Sequence, residues 1–167
     1  VVFNDQNSLI HKCSPTQIIL NSGRIFPMIF PPGVPVVKRV FDLASSFIGL
    51  ILLSPILLIL AILVWLKIGH PILYRQQRPG YRGKPFFIYK FRSMTNARNS
   101  DGDLLPDSER LTRLGRFLRS SSLDELPEII NILRGEMSWV GPRPLLMQYL
   151  ERYTPEQMRR HDVLPGV

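Results

Sequence analysis

Apolar residues are concentrated in one block. Between positions 41 and 66 only Asp42, Ser45, Ser46, Gly49, Ser54 and Pro55 interrupt them. The block exceeds the ~20 apolar residues that a bilayer core requires. It starts too far into the chain and runs too long for a cleaved signal peptide. A helix buried on every face would need more chain around it than is present. Pro55 lacks an N–H and clashes with the carbonyl four residues back, so the pattern predicts helix, break, helix, with the Ser54 hydroxyl available to the freed carbonyl. Each half, 41–53 and 56–67, then extends only about 20 Å. Lys38 and Arg39 stand before the block, and Lys67, Arg75, Arg78 and Arg82 after it. Basic flanks favour the cytoplasmic side. Both flanks are basic here, so a re-entrant dip satisfies them together. A kinked crossing helix and a soluble core helix are the alternatives.

The remaining pattern is more varied. Residues 1–37 carry no period, and Pro27, Pro31, Pro32, Gly33 and Pro35 predict irregular or extended chain. Leu9, Ile10, Ile18, Ile19 and Leu20 give a weak signal for a segment lying on a membrane surface. Two short strands are predicted at 72–74 and 86–91, with turn chemistry from Arg78 to Gly83 between them. A polar loop follows over 96–107. Leu111, Leu114 and Leu118 predict a helix over 108–119. Further helices are predicted over 124–133 and 145–153, and a last one begins with Thr154 as cap and Pro155 at its first position. The expected fold class is therefore α+β, mostly helical. It divides into an irregular segment 1–37, a membrane helix 38–69 and a small polar domain 70–167 of short strands and amphipathic helices.

Charge narrows the partners. Lys and Arg number 21 against 13 Asp and Glu, a formal net charge of +8. Such a balance calls for an anionic partner: a membrane surface, a phosphorylated substrate or nucleic acid. No stacking array or groove-reading motif supports nucleic acid. The single cysteine, Cys13, excludes an internal disulfide framework and a multi-cysteine metal site. His11, His70 and His161 have no ligand spacing, and Asp101-Gly102-Asp103 lacks the rest of a calcium loop. Nucleotide-binding glycine loops are absent.

Three places can hold chemistry. Pro127 fits only the first turn of its helix, which starts that helix near Asp124 and makes Asp124 a candidate N-cap. A carboxylate so placed is held ionised and suits capping, metal binding or attack on phosphorus. Glu125 points ~100° away on a helix, so the two are free to divide roles. On the strand, Lys90 and Arg92 share one face, a pair able to grip phosphate, with Tyr89 and Phe91 on the other. Pro142 and Pro144 fix the backbone around Arg143, whose guanidinium then loses little entropy when it binds an anion. Each has an ordinary counterpart: an acidic cap, a half-buried strand, a rigid turn.

In their order, these pieces resemble the bacterial sugar transferases, the monotopic phosphoglycosyltransferases. The resemblance rests on Lys38-Arg39-Val40-Phe41-Asp42, the Ser54-Pro55 break, Gln77-Arg78-Pro79-Gly80 and Tyr89-Lys90-Phe91-Arg92-Ser93-Met94. It continues through Leu114-Gly115-Arg116-Phe117-Leu118-Arg119, Ser122-Leu123-Asp124-Glu125-Leu126-Pro127, the run Gly135 to Pro144, and the run Arg160 to Gly166. It implies transfer of sugar-1-phosphate from a nucleotide diphosphosugar, usually a UDP-sugar, to polyprenyl (undecaprenyl) phosphate. It also implies a re-entrant helix on the cytoplasmic face of the bacterial inner membrane, which raises the dip above the crossing. By resemblance Asp124 is the nucleophile that carries a phosphosugar intermediate, Glu125 holds Mg²⁺, and Lys90, Arg119 and Arg143 contact phosphates. Such a reaction initiates a cell-surface glycan or glycoconjugate. The family continues beyond the Pro-Gly step, so the chain is expected to be a fragment lacking part of its C-terminal region. A non-catalytic module that binds anionic lipid is the competing expectation. Membrane lipid is a partner on either reading, and a homodimer is one option for the assembly.

Overall fold

The computed structural model describes residues 29–31 and 33–167. The expectations for Leu9, Ile10, His11, Cys13 and residues 18–20 lie outside the described residues. The chain is mostly helical, with one two-stranded antiparallel sheet.

Helix α1, Val36–Ile68, runs for 33 residues. It continues through Pro55 instead of ending there. The physical reason is local: the Ser54 hydroxyl donates to the Ile51 carbonyl at 2.7 Å, the oxygen that Pro55 has no N–H to reach. The predicted use of Ser54 is present, and it preserves the helix across the step. The inward-facing positions keep one phase along the whole length. Arg39, Asp42, Ser46, Leu60 and Val64 are buried, and Gly49, Leu53, Leu57, Ala61 and Ile68 are half-buried between and beyond them. Intervals of three and four place these residues on one stripe. The rest of the helix exposes Phe41, Phe47, Ile51, Leu52, Leu58, Ile59, Trp65 and Leu66, among others. By length and composition α1 suits a membrane.

Strands β1, Leu73–Pro79, and β2, Pro85–Phe91, pair with Leu73 opposite Phe91 and Pro79 opposite Pro85. The connecting Tyr81–Gly83 turn confirms the predicted turn chemistry. The strand faces differ from expectation. Lys90 shares its face with Phe86 and Ile88, which are buried with Ile132 and Met137, while Phe87 is exposed. Tyr89 instead lies under the guanidinium groups of Arg75 and Arg134. At the strand end Phe91 turns inward against Leu60, Val64 and Leu118. Two apolar clusters thus sandwich β2, and Lys90 stands where the sandwich opens.

The predicted 108–119 helix is two pieces, α2, Asp107–Arg110, and α3, Arg113–Ser120. Thr112 divides them by capping α3, its hydroxyl accepting from the Gly115 N–H at 2.9 Å. Gly115 is required there: a Cβ would collide with the Ser93 carbonyl oxygen. The predicted 124–133 helix is a 3₁₀ turn, Leu123–Glu128, leading into α4, Ile129–Leu133. The 145–153 helix is a 3₁₀ segment, Met147–Arg152. Helix α5, Pro155–Met158, starts as predicted, with Thr154 and Gln157 forming a reciprocal capping box.

Candidate active site

The Leu123–Glu128 turn builds the site. Ser122 precedes it at φ 56°, a left-handed conformation that tightens the entry from α3. The cap position therefore belongs to Ser122, and Asp124 is the second residue of the turn. The expected N-cap at Asp124 is corrected accordingly. Its electrostatics are corrected too. Burial pushes the Asp124 carboxyl above the ordinary aspartate value; Lys90 and Arg119 oppose that rise, and Glu125 adds to it.

Among the described residues, Glu125 is the carboxylate with two ion-pair partners. Its Oε1 accepts from Lys90 Nζ at 2.6 Å and also from the Arg143 guanidinium. Lys90 reaches Glu128 as well, at 3.1 Å. Glu128 is buried, and burial raises its pKa while Lys90 pulls it back. Arg119 is held by a bond from its Nε to Ser93 Oγ at 2.9 Å. Lys90, Glu125, Arg143 and, through the field at Asp124, Arg119 are thus brought together as the sequence suggested. Arg92 is not part of this group. It is buried just beyond β2, donating to the carbonyls of Met94 and His70. Its guanidinium ties the chain after α1 to the chain after β2, a structural duty in place of the expected phosphate grip.

Pro142 and Arg143 sit on a loop stapled from behind. Ser138 N–H donates to the Pro165 carbonyl at 2.9 Å, and Gly166 N–H to the Pro142 carbonyl at 3.1 Å. Gly141 and Gly166 approach so closely that a Cβ on either would overlap the other's backbone. Arg160 donates to the Arg143 carbonyl at 2.7 Å, and the buried His161 meets the Gly80 carbonyl through Nδ1 at 3.2 Å. Lys38 of α1 donates to Ser138 Oγ at 2.7 Å and the Val140 carbonyl at 2.9 Å.

Two concavities meet at the turn. A basic cleft is lined by Arg78, Lys90, Glu128, Arg143 and Pro144. An apolar groove of about 600 Å³ runs between Leu50, Leu57 and Leu58 of α1, Phe91, and Pro127 with Ile130. Glu128 faces the first and Pro127 the second. Sequence reasoning missed Glu128 and Arg78. Glu128 had a signal: it lies three residues after Glu125, the spacing that stacks side chains on a 3₁₀ turn. Arg78 had only its place in the turn sequence. Among the described residues, no cluster of three or more His, Cys, Asp or Glu side chains forms a ready-made metal cage. Mg²⁺ does not need one, since it usually binds through one or two carboxylates together with water and substrate phosphates. Glu125, flanked by Asp124, fits that donor set.

Residues 34–167 match the bacterial sugar transferase family. The chain belongs to that family. It is 53% identical over 132 residues to an uncharacterized sugar transferase, EpsL, of Bacillus subtilis, covering 79% of this chain and 65% of that protein. It is 42% identical over 156 residues to a UDP-glucose:undecaprenyl-phosphate glucose-1-phosphate transferase of Klebsiella pneumoniae, covering 89% and 34%. An undecaprenyl-phosphate galactose phosphotransferase of Salmonella typhimurium is 41% identical over 136 residues, covering 70% and 28%. The chain thus spans between about a quarter and two thirds of the length of these relatives.

Proposed function

We propose that this chain is the catalytic part of a phosphoglycosyltransferase that moves sugar-1-phosphate from a UDP-sugar to undecaprenyl phosphate, at the cytoplasmic face of the bacterial inner membrane. One observation supports this reading above others. A single six-residue turn, Leu123–Glu128, contributes to both a basic cleft and an apolar groove along α1. A reaction between a diphosphate donor and a lipid acceptor needs those two surfaces side by side. The names of the relatives, which specify undecaprenyl phosphate and UDP-glucose or galactose chemistry, agree with it.

In this reading a carboxylate oxygen of Asp124 attacks the sugar-bearing phosphorus of the donor. The bond from that phosphorus to the bridging oxygen breaks, and UMP leaves with the electron pair. The phosphate oxygen of the acceptor then attacks the same phosphorus. The acyl-phosphate bond breaks, the Asp124 carboxylate is restored, and polyprenyl-diphosphate-sugar is released. Two displacements replace one encounter between two bulky substrates. Lys90, Arg119 and Arg143 offset charge on the phosphates, and Arg143 does so from a loop that is already rigid. Glu125 is the residue that would hold Mg²⁺, which when bound neutralises charge on the diphosphate.

The test uses the full-length protein in detergent, with UDP-sugars and undecaprenyl phosphate. Asp124→Asn is expected to lower UMP release by more than about 10³-fold, as loss of a nucleophile does elsewhere. Full UMP release by that variant would end the assignment. Salt-sensitive lipid binding without any UMP release from the wild type would favour a non-catalytic module.

A further inference from the structure

We propose that Glu128 is the alternate seat of Lys90, a positioning carboxylate that takes the lysine off Glu125 when Glu125 binds a divalent cation. The inference rests on the reading of Glu125 as the metal-holding carboxylate. It starts from a crowding problem. The same oxygen, Glu125 Oε1, receives both Lys90 and Arg143. A divalent cation held by Glu125 would compete for that oxygen. An ammonium 2.6 Å from that oxygen would then face a divalent cation at close range. A metal that takes this oxygen displaces both cations; Arg143, whose side chain is 67% exposed, can swing into solvent, whereas Lys90 needs another partner.

The structure supplies the place to withdraw to. Glu125 and Glu128 are three residues apart on a 3₁₀ turn, where side chains at that spacing eclipse. Lys90 Nζ lies between them, 2.6 Å from one and 3.1 Å from the other. An ammonium has three donors on a flexible stem, so Lys90 can turn its main bond to Glu128 without being left unpaired. Glu128 also needs the lysine. Its side chain is 5% exposed, and Lys90 is its ion-pair partner among the described residues. A buried carboxylate left without its cation would be strongly destabilising. The seat therefore keeps Lys90 in the cleft, close to where donor phosphates would bind, in both the metal-free and the metal-bound state.

The probe is Mn²⁺ bound to the full chain in detergent, with free Mn²⁺ followed by electron paramagnetic resonance. Glu128→Gln is expected to raise the Mn²⁺ dissociation constant about tenfold, because Lys90 then competes harder for Glu125. Lys90→Met is expected to bind Mn²⁺ at least as tightly as the wild type. In the Lys90→Met background the Glu128→Gln effect should vanish. Glu128→Asp, which keeps the charge but shortens the reach, should weaken binding as Glu128→Gln does; thermal melts verify folding of each variant. An equal loss from Glu128→Gln in both backgrounds would overturn the seat in favour of a simple field effect. No loss in either background, or wild-type affinity in Glu128→Asp, would also overturn it. If Glu125→Gln leaves Mn²⁺ binding intact, the metal reading falls first and the seat with it. If Glu125→Gln abolishes binding while Lys90 and Glu128 show no coupling, only the seat falls.

Discussion

Asp124 is held in an environment that works against its own charge. Burial disfavours the carboxylate more than Lys90 and Arg119 favour it, so its pKa is raised. Nucleophilic attack needs the ionised form. The acid limb of kcat/KM, which reports the free enzyme, should therefore lie above the ordinary aspartate value. Lys90→Met should move it higher still by removing the principal opposing cation. The same shift has a consequence for stability. A carboxyl with a raised folded pKa favours the fold while it is protonated, below its unfolded pKa. That contribution is lost as pH rises through the folded pKa. Above the folded pKa the ionised Asp124 is thus a liability, and there Asp124→Asn should melt at a higher temperature than the wild type while losing activity. The gain should shrink on acidification towards the ordinary aspartate range, as thermal melts across pH will register. This is the pattern expected where function is placed at the expense of stability.

Elements of this fold are positioned by backbone contacts that a sequence pattern does not display. Gly115 lets α3 press against the Ser93 carbonyl, and through Ser93 Oγ it also fixes Arg119. Gly115→Ala forces these apart. Overpacking of this kind costs about 1–3 kcal/mol, so the variant should show a lower melting temperature and a weakened donor KM, since Arg119 moves with α3. The apolar block located α1, the cap Thr154 with Pro155 at the first position located α5, and the aromatic-rich run 86–91 after a turn located β2, because those signals are local. The motifs around Asp124, Lys90 and Arg143 were legible for the same reason. Other features were not. Helix 108–119 splits because Thr112 finds the Gly115 N–H, a competition that leucine spacing cannot register. Arg92 reads as a partner of Lys90 by alternation, yet β2 ends at Phe91 and the guanidinium turns to the carbonyls of Met94 and His70. Glu128 became visible only when the turn proved to be 3₁₀, with three residues per turn instead of 3.6.

At the scale of the molecule, both ends of α1 are bound to one polar domain. At the start, Arg39 is fully buried and donates to the carbonyls of Ile29, Ile132, Leu133 and Met137, while Lys38 holds Ser138 and Val140. Near the end, Leu60 and Val64 enter the core with Phe91 and Leu118. A crossing helix would carry one of these ends to the far side of the bilayer. Detaching the start would break several hydrogen bonds from a charged donor, each worth about 1.5–3 kcal/mol. Detaching the end would expose buried leucine and valine side chains, each worth about 1.5–3 kcal/mol by burial. Neither loss is compensated by a crossing, since the outer face of α1 already offers its apolar surface to lipid. On this ground we propose that α1 lies in one leaflet with both flanks on the same side. Single cysteines at the exposed Val37 and Lys67, in a Cys13→Ser background, test this directly, with Arg152→Cys reporting the side of the domain. An impermeant maleimide should label all three in inside-out vesicles and none in intact cells. Labelling of Val37→Cys and Lys67→Cys from opposite sides would show that α1 crosses, and the shared-domain packing described for its two ends would then have to be abandoned.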